Sequence, residues 1–184
     1  MSDDDIPAWA YEKAVVHPHD PRLAERASAE RTELTELLAP WLVDGVEHVG
    51  STAVPGLAAK PIIDLMASVT DTGIVVAKAG PRLAAAGWCY VPPELDQQPW
   101  RRFFVKPDPA GQRRIAHLHV IAAGQPRWTE QLAFRDALRR DDKLASDYAD
   151  LKLRLAAEHC EDREAYSRGK AAFVAAALAA EPPH

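Results

Sequence analysis

The chain has 184 residues, of which 47% are hydrophobic, enough for the core of one domain, and this excludes wholesale disorder. Its formal net charge of −5 and pI of about 5.8 exclude a general affinity for the nucleic-acid backbone, which requires concentrated positive charge. A local basic groove is compatible with these totals.

The N-terminal segment, residues 1–19, begins with the acidic run MSDDDIPAWA and is predicted to be flexible. The run has neither the basic start nor the apolar stretch of a secretion signal. Cys89 and Cys160 form no metal-ligand pattern and no disulfide framework, so we expect reduced thiols and a cytoplasmic location.

The first half of the chain predicts one helix followed by two strands. Asp20 is the expected N-cap and Pro21 the first helical residue, and the helix should end before Pro40. Its apolar face would consist of Leu23, Ala27, Leu34, Leu37 and Leu38. The run VEHVG at 46–50 predicts a short strand, and IIDLMASV at 62–69 predicts a strand covered on both faces.

The rest of the chain predicts further strands and then helices only. A helix over 72–86 would be kinked or split by Pro81. The expected strands are 88–91, 101–106 and 114–122, and the expected helices are 127–140, 142–159 and 161–180. We therefore predict an α+β fold over residues 20–181, a single domain in which helices cover a small mixed sheet and the C-terminal half is helical.

The most apolar run is AAFVAAALAA at 171–180. It is half as long as the roughly 20 apolar residues that a membrane-spanning helix needs. We therefore expect an Ala-rich buried helix here, and no membrane partner.

Gly50, Ser51 and Thr52 follow the first predicted strand and favour phosphate binding. Glycine lets the backbone approach an anion, the two hydroxyl groups are donors, and Lys60 adds a positive charge. The alternative is an ordinary tight turn with a solvated lysine.

Asp64 is a single carboxylate among apolar residues of the second predicted strand. An unpaired carboxylate is rarely buried in such a strand, so Asp64 either pairs with a cation, such as a metal ion, or faces solvent.

The run HLHV places His117 and His119 on the same face of a strand, because side chains alternate along a strand. Two adjacent imidazoles can chelate a metal ion or donate a proton beside a phosphate. The alternative is a pair of imidazoles that bond to backbone at the sheet surface. His48 or Asp64 could supply a third ligand, and spacing does not choose between them.

Basic residues recur later in the chain and could clamp a polyphosphate. The candidates are Arg101, Arg102, Arg135, Lys152 and Lys170. The helical members of this set have the i, i+4 spacing that is also typical of solvated helix surfaces.

The chain resembles the GrpB family over about residues 20–175. EHVGSTAVPGLAAKPIIDLM matches the family's signature almost throughout, and HLHV, FRDALR, YADLK and the pair Tyr166 and Lys170 follow in order. The resemblance implies a nucleotidyltransferase-like fold, and some members of the family are fused to dephospho-CoA kinase.

The superfamily pattern that this resemblance implies is only partly present. Gly50 and Ser51 match its Gly-Ser turn and Asp64 its second carboxylate, but Ile62 occupies the position of the first. His117 or His119 stands where the third carboxylate belongs. One aspartate with imidazoles favours Mn²⁺ or Zn²⁺ over Mg²⁺.

The resemblance implies metal-dependent nucleotidyl transfer from a nucleoside triphosphate to a small-molecule acceptor, with the acidic chain making nucleic acid an unexpected partner. Two alternatives stay open. One is a non-catalytic nucleotide- or partner-binding module with a degraded site, and the other is a His/Asp metal-dependent hydrolase or ligase. A homo-oligomer is compatible with either.

Overall fold

The computed structural model describes residues 7–11, 15–159 and 163–180, and within them a five-stranded sheet and six α-helices. The strands are β1 (Leu42–Val49), β2 (Ile63–Val69), β3 (Cys89–Val91), β4 (Arg102–Pro107) and β5 (Arg114–Ala122). The helices are α1 (Arg22–Leu38), α2 (Thr72–Ala85), α3 (Pro93–Asp96), α4 (Pro126–Arg140), α5 (Asp142–Glu158) and α6 (Arg163–Ala180).

The sheet is mixed, with the strand order β1-β2-β5-β4-β3. β2 and β5 run parallel at its centre, and the other neighbouring pairs are antiparallel. All three strands that follow the second helix were predicted to within one residue. The α+β fold with a small mixed sheet and a helical C-terminal half is confirmed.

One face of the sheet forms the main apolar core with α1 and α2. Ile63 and Leu65 of β2 and Leu118 of β5 are fully buried there, together with Trp88. Because side chains alternate along a strand, the residues between them point to the opposite face. That second face carries the polar side chains of β2 and β5.

Helices α4, α5 and α6 pack against one another and form a second apolar cluster. Phe134, Tyr148 and Ala177 represent the three helices in it, with Val54 and Leu57 from the loop after β1. The loop that contains the Gly-Ser turn is therefore held between the sheet and the C-terminal helices.

Three local predictions need correction. The N-cap of α1 is Pro21, and Asp20 lies one residue earlier, where its Oδ1 still accepts a hydrogen bond from the Arg22 amide. Pro81 does not split α2, which runs unbroken from Thr72 to Ala85. The Ala-rich run 171–180 is helical but mostly exposed, because α6 contacts its neighbours along one side only.

Parts of the N-terminal segment contact the domain. Residues 8–11 form a short 3-10 helix, His17 pairs with Ala59, and the Arg114 side chain donates to the Trp9 carbonyl at 3.0 Å. The flexibility of residues 1–19 and the domain limits 20–181 stay predictions, and residues 1–6, 12–14, 160–162 and 181–184 lie outside the described residues. Within the described parts of the chain, no helix is long and apolar enough to span a bilayer.

Candidate functional site

Asp64, His117 and His119 meet on the second face of the sheet. The parallel register pairs Asp64 with His117 and Met66 with His119, so the three polar side chains share one face. His117 Nδ1 lies 2.9 Å and His119 Nε2 lies 3.5 Å from Asp64 Oδ1. One ligand atom from each residue lies within 4.8 Å of the other two. The predicted association of the carboxylate with the paired imidazoles is what the structure shows.

The Gly-Ser turn abuts the same carboxylate. Gly50 has a φ of 72°, a conformation that side chains disfavour, and a Cβ atom added to it would lie 2.7 Å from Asp64 Oδ2. Only glycine fits here without displacing Asp64. The turn and the carboxylate therefore form one unit.

Arg101 fixes the orientation and tautomer of His119. Its Nη1 lies 2.5 Å from His119 Nδ1, and its other nitrogens bond to the buried Asp96 carboxylate at 2.6 and 2.9 Å. A guanidinium only donates, so His119 Nδ1 accepts and its Nε2 carries the proton toward Asp64. Burial, aided by the positive charge of Arg101, lowers the pKa of His119 to about 4, so the imidazole is neutral at pH 7.

Asp64 is held in its ionised form. Burial raises the pKa of this carboxyl group, but the hydrogen bonds from His117 and His119 outweigh burial, and the net pKa lies well below its ordinary value. A carboxylate that stays charged at all physiological pH values is suited to a cation.

These side chains open into a cleft of about 800 Å³ between the sheet and the C-terminal helices. Six basic side chains line it, and only two acidic ones, Asp64 and Asp96. The basic residues are Lys60, Arg101, Arg114, Arg127, Lys152 and Lys170. In a chain of net charge −5, this concentration of positive charge favours an anionic ligand.

One end of the cleft is built from lysines around the Gly-Ser turn. Lys152 Nζ donates to Ser51 Oγ at 3.0 Å and to the Ala58 carbonyl. The Nζ atoms of Lys60 and Lys170 each lie 4.4 Å from the centre of the Tyr166 ring. The structure thus brings Ser51 and three predicted lysines together.

Thr52 and His48 do not join the metal-ligand cluster. His48 pairs with Leu65, so its side chain faces the sheet surface opposite to that of Asp64. Its Nε2 lies 2.9 Å from Thr52 Oγ1, which donates to the Ile62 carbonyl. Thr52 lines the cleft, but its hydroxyl group braces the turn. His48 is thereby excluded as the third ligand, and Asp64 takes that position.

Two predicted arginines lie away from the cleft. Arg102 follows Arg101 and precedes Phe103, whose side chain faces the cleft. Because side chains alternate along a strand, Arg102 faces the core side, where it pairs with Val120. Arg135 is bound by Glu47 and Asp136 and by the His48 carbonyl, so it ties α4 to β1. We correct both assignments: neither guanidinium is available to a ligand in the cleft.

Several residues of the cleft carried no signal in the sequence. Trp100 stacks on His119 with an angle of 9° between the two ring planes, and the Arg127 guanidinium lies over the Trp100 ring. Asp96 anchors Arg101 from the short helix α3. Trp100 meets His119 and Arg127 only in the folded protein, and Asp96 and Arg101 lie five residues apart without a regular spacing that would reveal their contact. Strand alternation could have separated Arg101 from Arg102.

The two donor distances to Asp64 Oδ1 fit a transition metal ion. Donor atoms about 2.1 Å from one ion lie about 3.0 Å apart at right angles and about 3.4 Å apart in a tetrahedron. The separations of His117 Nδ1 and His119 Nε2 from Asp64 Oδ1, 2.9 and 3.5 Å, match these values. An ion on His119 Nε2 would replace the proton there, so Arg101 would have to release Nδ1. Mg²⁺, which prefers oxygen ligands, fits less well.

Comparison with known proteins places the chain in a family. A family model described as GrpB protein matches residues 13–180. A UPF0157 protein of Pseudomonas aeruginosa is 41% identical over 165 residues, covering 89% of this chain and 65% of that protein. The UPF0157 protein YqkA of Bacillus subtilis is 33% identical over 156 residues, covering 85% and 43%. The chain thus spans about half to two thirds of the length of these two relatives.

Solved structures agree with this assignment. The crystal structure of the conserved protein GrpB from Enterococcus faecalis aligns with a TM-score of 0.75 and 30% identity, covering 89% of this chain and 94% of that one. Cid1, in complex with its short product ApU, aligns with a TM-score of 0.52 and 13% identity, covering 77% and 42%, and this likeness concerns the fold alone. The chain belongs to the GrpB protein family and has a nucleotidyltransferase-like fold.

Proposed function

We propose that this protein binds a nucleoside triphosphate together with a divalent metal ion and transfers the nucleotidyl group to a small-molecule acceptor. The observation that carries this is the opening of the Asp64, His117 and His119 cluster into a cleft lined by six basic side chains. A metal-ligand set beside a positively charged cleft is what a metal-bound triphosphate requires.

The lysine end of the cleft would hold the phosphates. Ser51 supplies a hydroxyl donor, and Lys152 is oriented toward it by the Ala58 carbonyl. Lys60 and Lys170 both contact the Tyr166 ring, which lines the same cleft. Because Gly50 brings this turn against Asp64, phosphates bound at the lysines would lie beside the metal ligands.

Asp64, His117 and His119 would hold the metal ion, which supplies charge stabilisation at the phosphorus under attack. An acceptor hydroxyl group would release its proton to solvent and form the new bond to the α-phosphorus, the bond to the bridging oxygen would break, and that oxygen would leave with pyrophosphate. Arg101 stays paired with Asp96 and can neutralise charge that develops on the phosphate oxygens. Positioning and charge supply most of the catalysis in such a reaction.

Ile62 favours a second candidate, a nucleotide-binding module without catalysis. It is buried, lines the cleft, and stands where the nucleotidyltransferase pattern has a carboxylate. A site with a single carboxylate binds one ion more readily than two, and two-metal catalysis would then be lost. A metal-dependent hydrolase or ligase is a third candidate that uses the same donor set.

The test is a binding screen with ATP, CTP, GTP and UTP, with and without Mn²⁺, followed by an assay of pyrophosphate release with candidate acceptors. We expect Mn²⁺ to increase the rise in melting temperature that a nucleotide produces, and Asp64→Asn to abolish that increase. Asp44→Asn is the matched control, because Asp44 bonds to Ser68 at the other end of β1.

The outcomes separate the candidates. Metal-dependent binding with pyrophosphate release supports transfer, and binding without any release supports the module. Zn²⁺ retention that is lost in His117→Gln, without a response to any nucleotide, supports the third candidate. Binding of nucleotide to Asp64→Asn with wild-type affinity in the presence of Mn²⁺ would contradict the proposed site.

A further inference from the structure

Lys152 is a buried lysine whose hydrogen-bond partners among the described residues are uncharged. Its side chain is 2% exposed, and its Nζ bonds to two neutral oxygens, Ser51 Oγ and the Ala58 carbonyl. It also lies 4.9 Å from the centre of the Tyr148 ring. In the described part of the chain no carboxylate forms an ion pair with it. Buried lysines are ordinarily paired, so this arrangement is incomplete as it stands.

The surroundings of Lys152 are more basic than acidic. Lys170 and Tyr166 face it from α6, Tyr148 from its own helix α5, and Lys60 from the loop before β2. Of the two acidic residues that line the cleft, Asp64 is bound to the two histidines and Asp96 to Arg101. Burial, together with the charge of Lys170, lowers the pKa of Lys152 to about 7. The lysine is therefore divided between its neutral and its charged form near pH 7.

The geometry is nevertheless arranged for an ammonium group. The two oxygens account for two of its three N–H donors, and the aromatic face of Tyr148 also favours a cation. Lys152 lines the cleft, where a ligand can reach the remaining donor. A multiply charged anion placed there would supply the counter-charge that no described residue provides.

We propose that the lysine end of the cleft is a receptor for a condensed phosphate, which serves as the counterion of Lys152 and is bound with the uptake of a proton by that lysine. Ser51, Lys60 and Lys170 complete the receptor. The identification of a nucleotide as the natural source of the phosphate rests on the proposed function. Recognition of the phosphate itself requires neither the base nor the metal ion.

Proton uptake fixes the direction of the pH dependence. The bound anion raises the pKa of Lys152 above its value in the free protein, so binding strengthens as the pH falls from 9 toward 7. The pKa of Lys152 is about 7 in the free protein. If the bound lysine is fully charged, binding takes up about half a proton at pH 7 and about nine tenths of a proton at pH 8. Tyr148 and Tyr166 stay protonated over this range, because burial raises the pKa of each, that of Tyr166 to about 12.

The experiment is calorimetric titration with inorganic triphosphate, without metal, in buffers of different ionisation enthalpy at pH 7 and pH 8. At each pH, the slope of the observed binding enthalpy against the ionisation enthalpy of the buffer gives the number of protons taken up. Lys152→Arg stays charged throughout, and the ligand's own titration is the same for both proteins. The difference in proton uptake between wild type and Lys152→Arg is therefore the uptake by Lys152 itself. It should be about half a proton at pH 7 and about nine tenths of a proton at pH 8.

Two further variants complete the test. Lys152→Met keeps the apolar stem and should lower the affinity for triphosphate at least tenfold. Lys143→Arg is the matched control, because Lys143 lies on the same helix, is exposed, and pairs with Asp147. It should match wild type in affinity and in proton uptake. Circular dichroism and thermal melting establish that each variant is folded.

The results decide the matter either way. Equal proton uptake by wild type and Lys152→Arg, or unchanged affinity in Lys152→Met, would overturn the inference, as would the failure of wild type to bind triphosphate. Adenosine should not bind, and ATP should bind with similar proton uptake to triphosphate. If the protein binds triphosphate with proton uptake but never releases pyrophosphate, the receptor proposal is supported and the proposed nucleotidyl transfer is contradicted.

Discussion

The Cα of Gly50 faces Asp64 so closely that a Cβ atom there would lie 2.7 Å from Oδ2 and 3.2 Å from the Cβ of Asp64. The end of β1 is thereby pressed against the one carboxylate of β2 that faces the cleft. Gly50 also has a φ of 72°. Two independent physical reasons therefore require glycine at this position.

We predict that Gly50→Ala lowers the free energy of unfolding by about 1 to 3 kcal/mol, because the new methyl group meets backbone strain and a fixed carboxylate. Displacement of Asp64 should also weaken Mn²⁺ binding. Gly45→Ala is the matched control, since Gly45 has a φ of 95° on the same strand but nothing within 4 Å of an added Cβ. Urea denaturation and Mn²⁺ titration should show stability lost in both variants and metal affinity lost in Gly50→Ala alone. Equal metal affinities would contradict this role of Gly50.

Arg101 and Arg102 are chain neighbours on opposite faces of the sheet, and their variants should behave differently. Arg101→Lys keeps the charge but loses the forked contact with Asp96 that positions it in the cleft, so nucleotide affinity should fall about tenfold. Arg102→Lys should stay within about twofold of wild type, because its side chain lies on the core face. Equal losses in the two variants, measured by calorimetry, would show that the strand register does not govern access to the cleft.

His48 should make stability depend on pH below neutrality. Burial lowers the pKa of His48 to about 4, so between pH 6.5 and 4 the unfolded chain binds more protons than the folded one. The stability that the neutral imidazole contributes is fully present above pH 6.5 and is lost as the pH falls from 6.5 to 4. Allowing for partial solvent screening, we expect a loss of about 1 kcal/mol between pH 7 and 5.

His48→Gln isolates this contribution. The glutamine amide can still donate to Thr52, as His48 Nε2 does, but it does not titrate. Chemical denaturation at pH 7, 6 and 5 should therefore give a shallower decline for the variant than for wild type. Parallel curves would place the acid sensitivity elsewhere.

Much of the fold followed from local patterns, while the composition of the site did not. Strand β5 was predicted to the residue, because Leu118 and its alternating neighbours form an unambiguous period of two. The same alternation placed His117 and His119 together. The start of β1 at Leu42 was missed by four residues, since Asp44 and Gly45 interrupt the apolar pattern where the strand bulges.

The errors about the site arise from contacts that residue spacing does not encode. Arg135 has the right charge, but its neighbour Asp136 and the distant Glu47 both bind it, and only the packing of α4 on β1 reveals the bond to Glu47. His48 was a plausible ligand until the antiparallel register placed it on the face opposite Asp64. The role of Asp96 depends on its burial beside Arg101, which no local pattern encodes.

At Gly169, α6 approaches α5 closely. A Cβ atom there would lie 2.5 Å from Leu155 Cδ2 and 2.9 Å from Cδ1. Overpacking should outweigh the better helix propensity of alanine, so Gly169→Ala should lower the free energy of unfolding by about 1 kcal/mol. Gly80→Ala in α2 is the control, because no atom beyond its chain neighbours lies within 4 Å of its added Cβ, so it should lower the free energy of unfolding less than Gly169→Ala. An equal or larger loss in Gly80→Ala, measured by urea denaturation, would contradict the close α5–α6 contact.

Electron spin echo envelope modulation of Mn²⁺ with ATP and the protein tests most directly whether the aspartate–histidine cluster and the basic cleft hold one metal–nucleotide complex. We predict that a single Mn²⁺ signal shows both ³¹P modulation from the nucleotide and ¹⁴N modulation from an imidazole. The ¹⁴N modulation should weaken in His117→Gln and the bound signal should be lost in Asp64→Asn. A spectrum with ³¹P modulation alone, identical to that of Mn²⁺ and ATP in buffer, would contradict the site.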